Sequence, residues 1–164
     1  MSTTTNSTDN AVITSTSDRE VHIERDFDAP LDRVWDAFSR IEQLSRWWAR
    51  GHMVDIERWE FRKGGHWRFV EHDGGESYGF EGRFREITPK ERIVQSFEWD
   101  GMPAHISIDA TTFVDLGDGR TRVVTDSVFH TAEECAGMLA TGMEGGLNDS
   151  YRALDALLAE GRQR

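Results

Sequence analysis

The sequence predicts an α+β domain in which a curved antiparallel sheet wraps around a long C-terminal helix. Three observations carry this expectation. From about Met53 to His130, apolar and polar residues alternate and glycine-rich turns interrupt the alternation, the pattern of half-buried strands joined by hairpins. Two short helical stretches precede that run. After it, Cys135, Leu139, Met143, Leu147, Tyr151, Leu154 and Leu158 recur at intervals of four or three, one apolar stripe along a helix. A sheet with one aromatic-rich face must cover that face, and the C-terminal helix has the matching stripe.

The elements follow in order. The first 18 residues, MSTTTNSTDNAVITSTSD, bury too little surface to offset the entropy of ordering and are expected to form a disordered tail. A single domain, residues 19–164, then opens with a strand over REVHIERDF. Pro30 suits a first helical position, and Leu31, Val34, Trp35 and Phe38 recur at helical spacing. Ser39 with Glu42 three residues later is a capping-box pattern. It starts a second helix that carries Ile41, Leu44, Trp47 and Trp48 and stops at Gly51. Adjacent helical residues point about 100° apart, so both tryptophans cannot centre one buried stripe. Either one plugs the core while its neighbour lines a gap between helices and sheet, or both cover core edges.

Within the strands, Trp59 with Phe61, Trp67 with Phe69, then Tyr78, Phe80, Gly82 and Phe84, then Ile93, Gln95, Phe97 and Trp99 share faces. The turns RKGG, HDGGE and TPKE separate them. Two further strands, about His105 to Leu116 and Thr121 to Phe129, meet at GDG, a hairpin signal. Parity slips between Ile56 and Trp59 and again between Ile108 and Phe113, so a bulge is expected in each strand. Thr131 and Glu134 form a capping-box pattern for the last helix, Ala132 to Glu160, which would span roughly 40 Å at ~1.5 Å per residue.

Composition narrows the function. A net charge of −11 and a pI near 4.9 argue against nucleic-acid binding, which needs a basic face. No run approaches the ~20 apolar residues of a membrane span. The absence of a basic-then-apolar leader and the single Cys135 point to the cytoplasm and exclude an internal disulfide. No metalloprotease, nucleophile-elbow or phosphate-loop pattern occurs. No catalytic residue, cofactor or metal is therefore assigned. His66 and His72 share parity, but on the face opposite Trp67. Cys135 lies on the apolar stripe, where a free cysteine is usually a small hydrophobe. Glu71, Glu98 and Asp126 are the only carboxylates placed even loosely to serve as an acid or base in a cavity.

The inward rings face a helix whose middle holds Gly142, Gly145 and Gly146. Each mid-helix glycine costs up to ~1 kcal/mol relative to alanine. Such a cost has two readings: the glycines leave room for a ligand cavity, or they mark a kink or close contact filled by the rings. Gln95, Thr125 and Ser127 share parity with buried neighbours. They are placed to fix a ligand's polar group, or to bond one another or water.

Four blocks in order, FDAPLDRVWDAFSRIEQLSRWW, EFRKGGHWRFV, GRFREITPKERIVQSFEW and GMEGGLNDSYRALDALLAE, resemble the SRPBCC (START-like) superfamily. Within it they resemble the bacterial branch related to the activator of the 90-kDa heat-shock chaperone ATPase. The resemblance covers about Val21 to Glu160. It implies the helix-grip fold and an elongated cavity between sheet and C-terminal helix, used across the superfamily for apolar molecules. Carried onto this sequence, Trp48, Trp67, Phe69, Phe80, Phe84, Trp99, Met138 and Met143 become the expected ligand-binding walls. The superfamily shares no single catalytic set, so the resemblance assigns no catalytic residue. The expected function is a binding protein for a small apolar or amphipathic molecule. The alternatives are a co-chaperone-like protein that modulates a heat-shock chaperone or another protein partner, and a cavity enzyme such as a cyclase, dehydratase or hydrolase.

Overall fold

The computed structural model describes residues 10–162. Eight strands and four helices follow one another: β1 Val12–Ser17, β2 Glu20–Phe27, α1 Leu31–Ser39, α2 Ile41–Trp47, β3 Met53–Trp59, β4 His66–Asp73, β5 Glu76–Thr88, β6 Arg92–Trp99, β7 Ile106–Gly117, β8 Arg120–Phe129, α3 Ala132–Ala140 and α4 Met143–Arg162. The strands form one open antiparallel sheet in the order β1-β2-β8-β7-β6-β5-β4-β3. The helices cover its inner face, and the result is the expected α+β, helix-grip-like arrangement. No helix among the described residues is long and apolar enough to cross a membrane.

Alternation decides which side chains the helices meet. Along β2, Val21, Ile23, Arg25 and Phe27 are buried while the residues between them are more open. Phe27 receives the edge of Tyr151 from α4 at 5.2 Å and 89°. Arg25, buried among these groups, forms two 2.7 Å hydrogen bonds to Asp155 of α4. Tyr151, Leu154, Leu157 and Leu158 of α4 are all buried, so this end of the helix supplies much of the core. On the other flank Trp35 and Phe38 of α1 meet Phe113 of β7 edge-on at 5.3 and 5.1 Å.

Four sequence expectations are corrected. Residues 12–17, assigned to a disordered tail, form β1 and pair with β2. An edge strand takes its hydrogen bonds from one neighbour and tolerates Ser and Thr on its open side, so little burial is needed. The Ala11 N–H also donates to Asn148 Oδ1 of α4 at 2.9 Å. The rest of the expected tail, residues 1–9, lies outside the described residues. Ser39 does not cap α2. Its hydroxyl donates to the Trp35 carbonyl at 2.7 Å within α1, and Arg40 is the N-cap. By contrast the Thr131–Glu134 capping box closes in both directions, at 3.1 and 3.0 Å.

The third correction concerns the C-terminal helix, which is two helices. Gly142 sits between them at φ +83, a left-handed conformation that interrupts the helical ladder and that glycine adopts without a side-chain clash. The Thr141 hydroxyl donates to the Met138 carbonyl at 2.6 Å and finishes α3. The fourth is the bulge expected in β7. The bulge between Ile56 and Trp59 is present, as a register shift between Ile56 and Arg58, but β7 runs in unbroken register against β8 from Ser107↔Phe129 to Asp115↔Thr121. Ser107, Asp109, Thr111 and Phe113 therefore share the inner face, and Ile106 and Ile108 turn outward.

Candidate functional site

Between the sheet and the helices lies a cavity of about 560 Å³. The question of the paired tryptophans is answered at its wall. Trp47 is 4% exposed, and its indole N–H donates to the Ala37 carbonyl at 2.9 Å, so it plugs the core under α2. Trp48, one residue on, turns its ring over the sheet. It meets Phe69 at 5.0 Å, Phe80 at 5.1 Å and Trp67 at 6.1 Å, each near edge-on. These contacts span β4 and β5 and build an aromatic half-shell.

All eight residues expected as walls line this one cavity: Trp48, Trp67, Phe69, Phe80, Phe84, Trp99, Met138 and Met143. Trp67, Phe69 and Phe84 are almost fully buried. Trp67 packs closely because Gly82 pairs with it across β4 and β5. A Cβ at Gly82 would lie 2.8 Å from the indole nitrogen and 1.8 Å from the Ser96 carbonyl oxygen. The glycines expected to leave space divide by role. Gly142 breaks the helix and, with Thr141 and Asp73, is an exposed lining residue that marks the opening. Gly146 gives passage to Arg50, whose Cδ would be 3.3 Å from an added Cβ. Gly145 does not line the cavity, and a Cβ there would meet nothing within 4 Å.

Opposite the aromatic half runs a polar strip from three adjacent strands: Gln95 of β6, Ser107, Asp109 and Thr111 of β7, and Thr125 and Ser127 of β8. Asp109 pairs with Gln95 on one side and Ser127 on the other. Its carboxylate accepts from the Ser107 hydroxyl at 3.2 Å and from Ser127. Among the described residues no cation pairs with it. Burial pushes its carboxyl from 3.8 up to about 6, against the opposing pull of the two serines. The surface it retains faces the cavity rather than bulk water, which is why partial exposure and strong desolvation coexist. Tyr151 of α4 closes the strip. Burial pushes its phenol up to about 12, and it bonds Thr125. Thr125 and Thr111 hydroxyls lie 3.3 Å apart.

A second group of charges stands at the opening. Arg50 and His52, from the turn after α2, both reach Glu71 of β4; the His52 Nδ1 to Glu71 Oε2 distance is 2.7 Å. Asp73 Oδ2 lies 3.7 Å from Arg50 and 3.9 Å from His52. Ser150 of α4 fastens this turn, accepting from the Arg50 N–H at 3.0 Å and donating to the Trp48 carbonyl at 2.9 Å. His52, Glu71 and Asp73 bring donor atoms within 4.8 Å of one another. However, Arg50 is already bonded to the Glu71 oxygen that a cation would need, so the cluster is an ion-pair network.

Of the three carboxylates singled out in the sequence, Glu71 reaches the cavity but is neutralised by Arg50, and the other two do not line it. Asp126 bonds His22 on the outer face at 2.5 Å, and Glu98 accepts from the Ala104 N–H at 2.8 Å. Asp109 was missed because a bulge in β7 would have turned it outward. The signal was present: without a bulge, Ser107, Asp109, Thr111 and Phe113 alternate on one face with two hydroxyl residues beside the carboxylate. His66 and His72 bond Glu81 and Asp55 at 2.9 and 2.7 Å. Cys135 is buried, and that burial pushes its thiol pKa up rather than down.

An open antiparallel sheet closed by a C-terminal helix over an internal cavity defines a helix-grip-like domain of the SRPBCC class. The family model described as "Activator of Hsp90 ATPase homolog 1-like protein" matches residues 28–159, and the chain belongs to that family. Solved structures agree on the fold. A Rhodobacter sphaeroides protein superposes with a TM-score of 0.82 at 25% identity, covering 92% of this chain and 98% of its own. An Arthrobacter aurescens protein gives 0.81 at 23% identity, covering 91% of each chain. A Mycobacterium smegmatis protein gives 0.77 at 21%, covering 90% of this chain and 97% of its own. No curated protein matches the sequence.

Proposed function

We propose that this protein binds a small apolar or amphipathic molecule in the cavity between its sheet and α3–α4. The observation that carries this reading is the cavity of about 560 Å³, with aromatic walls on one side and a single polar strip on the other. That size and division match sites where apolar burial supplies most of the affinity and a few polar groups set orientation. All eight expected wall residues, Trp48, Trp67, Phe69, Phe80, Phe84, Trp99, Met138 and Met143, would contact the bound molecule. Five of the six tryptophans line the cavity, so intrinsic fluorescence reports occupancy directly. Titration with medium-chain alcohols and amines, flavonoids and polyketides should give saturable quenching or a spectral shift. A panel that leaves the emission unchanged, at concentrations to which lipid carriers respond, removes the proposal.

The family match favours a second reading, modulation of a chaperone ATPase. It requires salt-sensitive association through the acidic surface and indifference to cavity substitutions. Unchanged ATPase rates on adding the protein to a 90-kDa heat-shock chaperone would eliminate it.

A further inference from the structure

We infer that the bound molecule is a cationic amphiphile, with its apolar body against the aromatic half and a protonated amine on Asp109. This rests on the cavity-binding reading and deepens it. Among the described residues Asp109 is the only charged side chain on the polar strip; its neighbours Gln95, Ser107, Thr111, Thr125 and Ser127 are neutral, as is the Tyr151 phenol. Two serine hydroxyls donate to the carboxylate and leave acceptor positions open toward the cavity. A buried charge without a counter-ion is costly, and a ligand that brings the missing cation recovers that cost on binding.

The remaining surroundings point the same way. Trp48, Trp67 and Phe80 are among the lining residues, and aromatic rings attract cations. The net charge of −11 raises the local concentration of cations around the protein. An anionic amphiphile would place like charge beside Asp109. The cationic lining group, Arg50, is at the opening and already bonded to Glu71. It offers little to a carboxylate. A neutral alcohol can donate one hydrogen bond to Asp109 but leaves its charge uncompensated.

The test compares decylamine, decanol and decanoate, which share one chain and differ in headgroup. Binding is read by tryptophan emission and calorimetry at pH 7.5 with the wild-type protein and D109N. Decylamine should bind at least tenfold more tightly than decanol, with decanoate weakest. D109N should lose the tenfold preference, with a cooperative urea transition showing that the variant is folded. Around Asp109 the facing groups from β6, β7, β8 and α4 stay neutral between pH 5 and 7.5. Decylamine affinity should therefore fall about tenfold at pH 5 as Asp109 takes up a proton, a larger change than decanol shows. Equal binding of amine and alcohol, or an amine preference that survives D109N, overturns the inference and leaves the cavity reading standing. Failure of all three to bind overturns both.

Discussion

Replacing Asp109 with asparagine should stabilise the protein at neutral pH and lose that advantage in acid. The folded carboxyl is pushed from 3.8 to about 6 by burial, so between those values the folded state holds a proton that the unfolded state has released. Stability then falls as pH rises through that window. One pKa unit corresponds to 1.36 kcal/mol, so the ionised carboxylate costs about 3 kcal/mol at pH 7.5, about 1.5 at pH 5 and about 0.5 at pH 4. Solvent reaching the cavity screens part of this, which sets the expected gain for D109N at roughly 1–3 kcal/mol at pH 7.5. The amide has the same shape, and its oxygen can still accept from Ser107 and Ser127. Urea denaturation at the three pH values, with unchanged m-values, measures the difference. A variant less stable than wild type at pH 7.5, or one whose advantage is the same at pH 4, would refute the reasoning. A stabilising substitution at a cavity carboxylate is also what a binding residue predicts, since such groups are held at a cost to the fold.

The adjacent tryptophans should separate. W47A removes a ring packed against Phe38 at 4.7 Å and Tyr151 at 6.1 Å and should cost about 3–5 kcal/mol in thermal or urea unfolding. W48A should cost less and act mainly on ligand affinity; equal destabilisation by the two would contradict the division of roles. G82A forces a Cβ to within 1.8 Å of the Ser96 carbonyl oxygen and should destabilise by about 1–3 kcal/mol as an overpacked site, visible as a lowered melting temperature. D155A strips two hydrogen bonds from the buried Arg25 guanidinium. Because Asp155 itself is 42% exposed, the expected loss is about 2 kcal/mol, below the 3–5 of a fully buried pair, and a loss under about 0.5 kcal/mol in urea would show that water replaces the carboxylate.

How much of this was legible in the sequence depends on the range of the interaction involved. Alternation over six to eight residues located β3 to β8, and it placed Trp67, Phe69, Phe80 and Phe84 on one face. The stripe from Cys135 to Leu158 gave the closing element, and the Thr131–Glu134 pair gave its first turn. These are local signals, written in spacing, and all eight wall residues could be named from them together with the family resemblance. Gly142 carried a local signal as well, but glycine permits both a continuous helix with a gap and a break. The packing of α4 against Arg25 and Phe27 of β2 accompanies the break.

The tertiary structure alone decided what the cavity contains chemically. Asp109 faces inward because β7 keeps register with β8 through nine consecutive residue pairs, from Ser107 to Asp115, a fact held in hydrogen bonds between strands and not in the residues of either one. Burial then makes that carboxylate unusual, and burial is a property of the closed sheet and helix. The pairing of Glu71 with Arg50 and His52 likewise joins residues about twenty positions apart, and β1 exists because β2 offers it an open edge. Sequence by itself determined which side chains are apolar enough to build walls. Only folding determined where an uncompensated charge was left among them, because that depends on which distant groups arrive beside it and which do not.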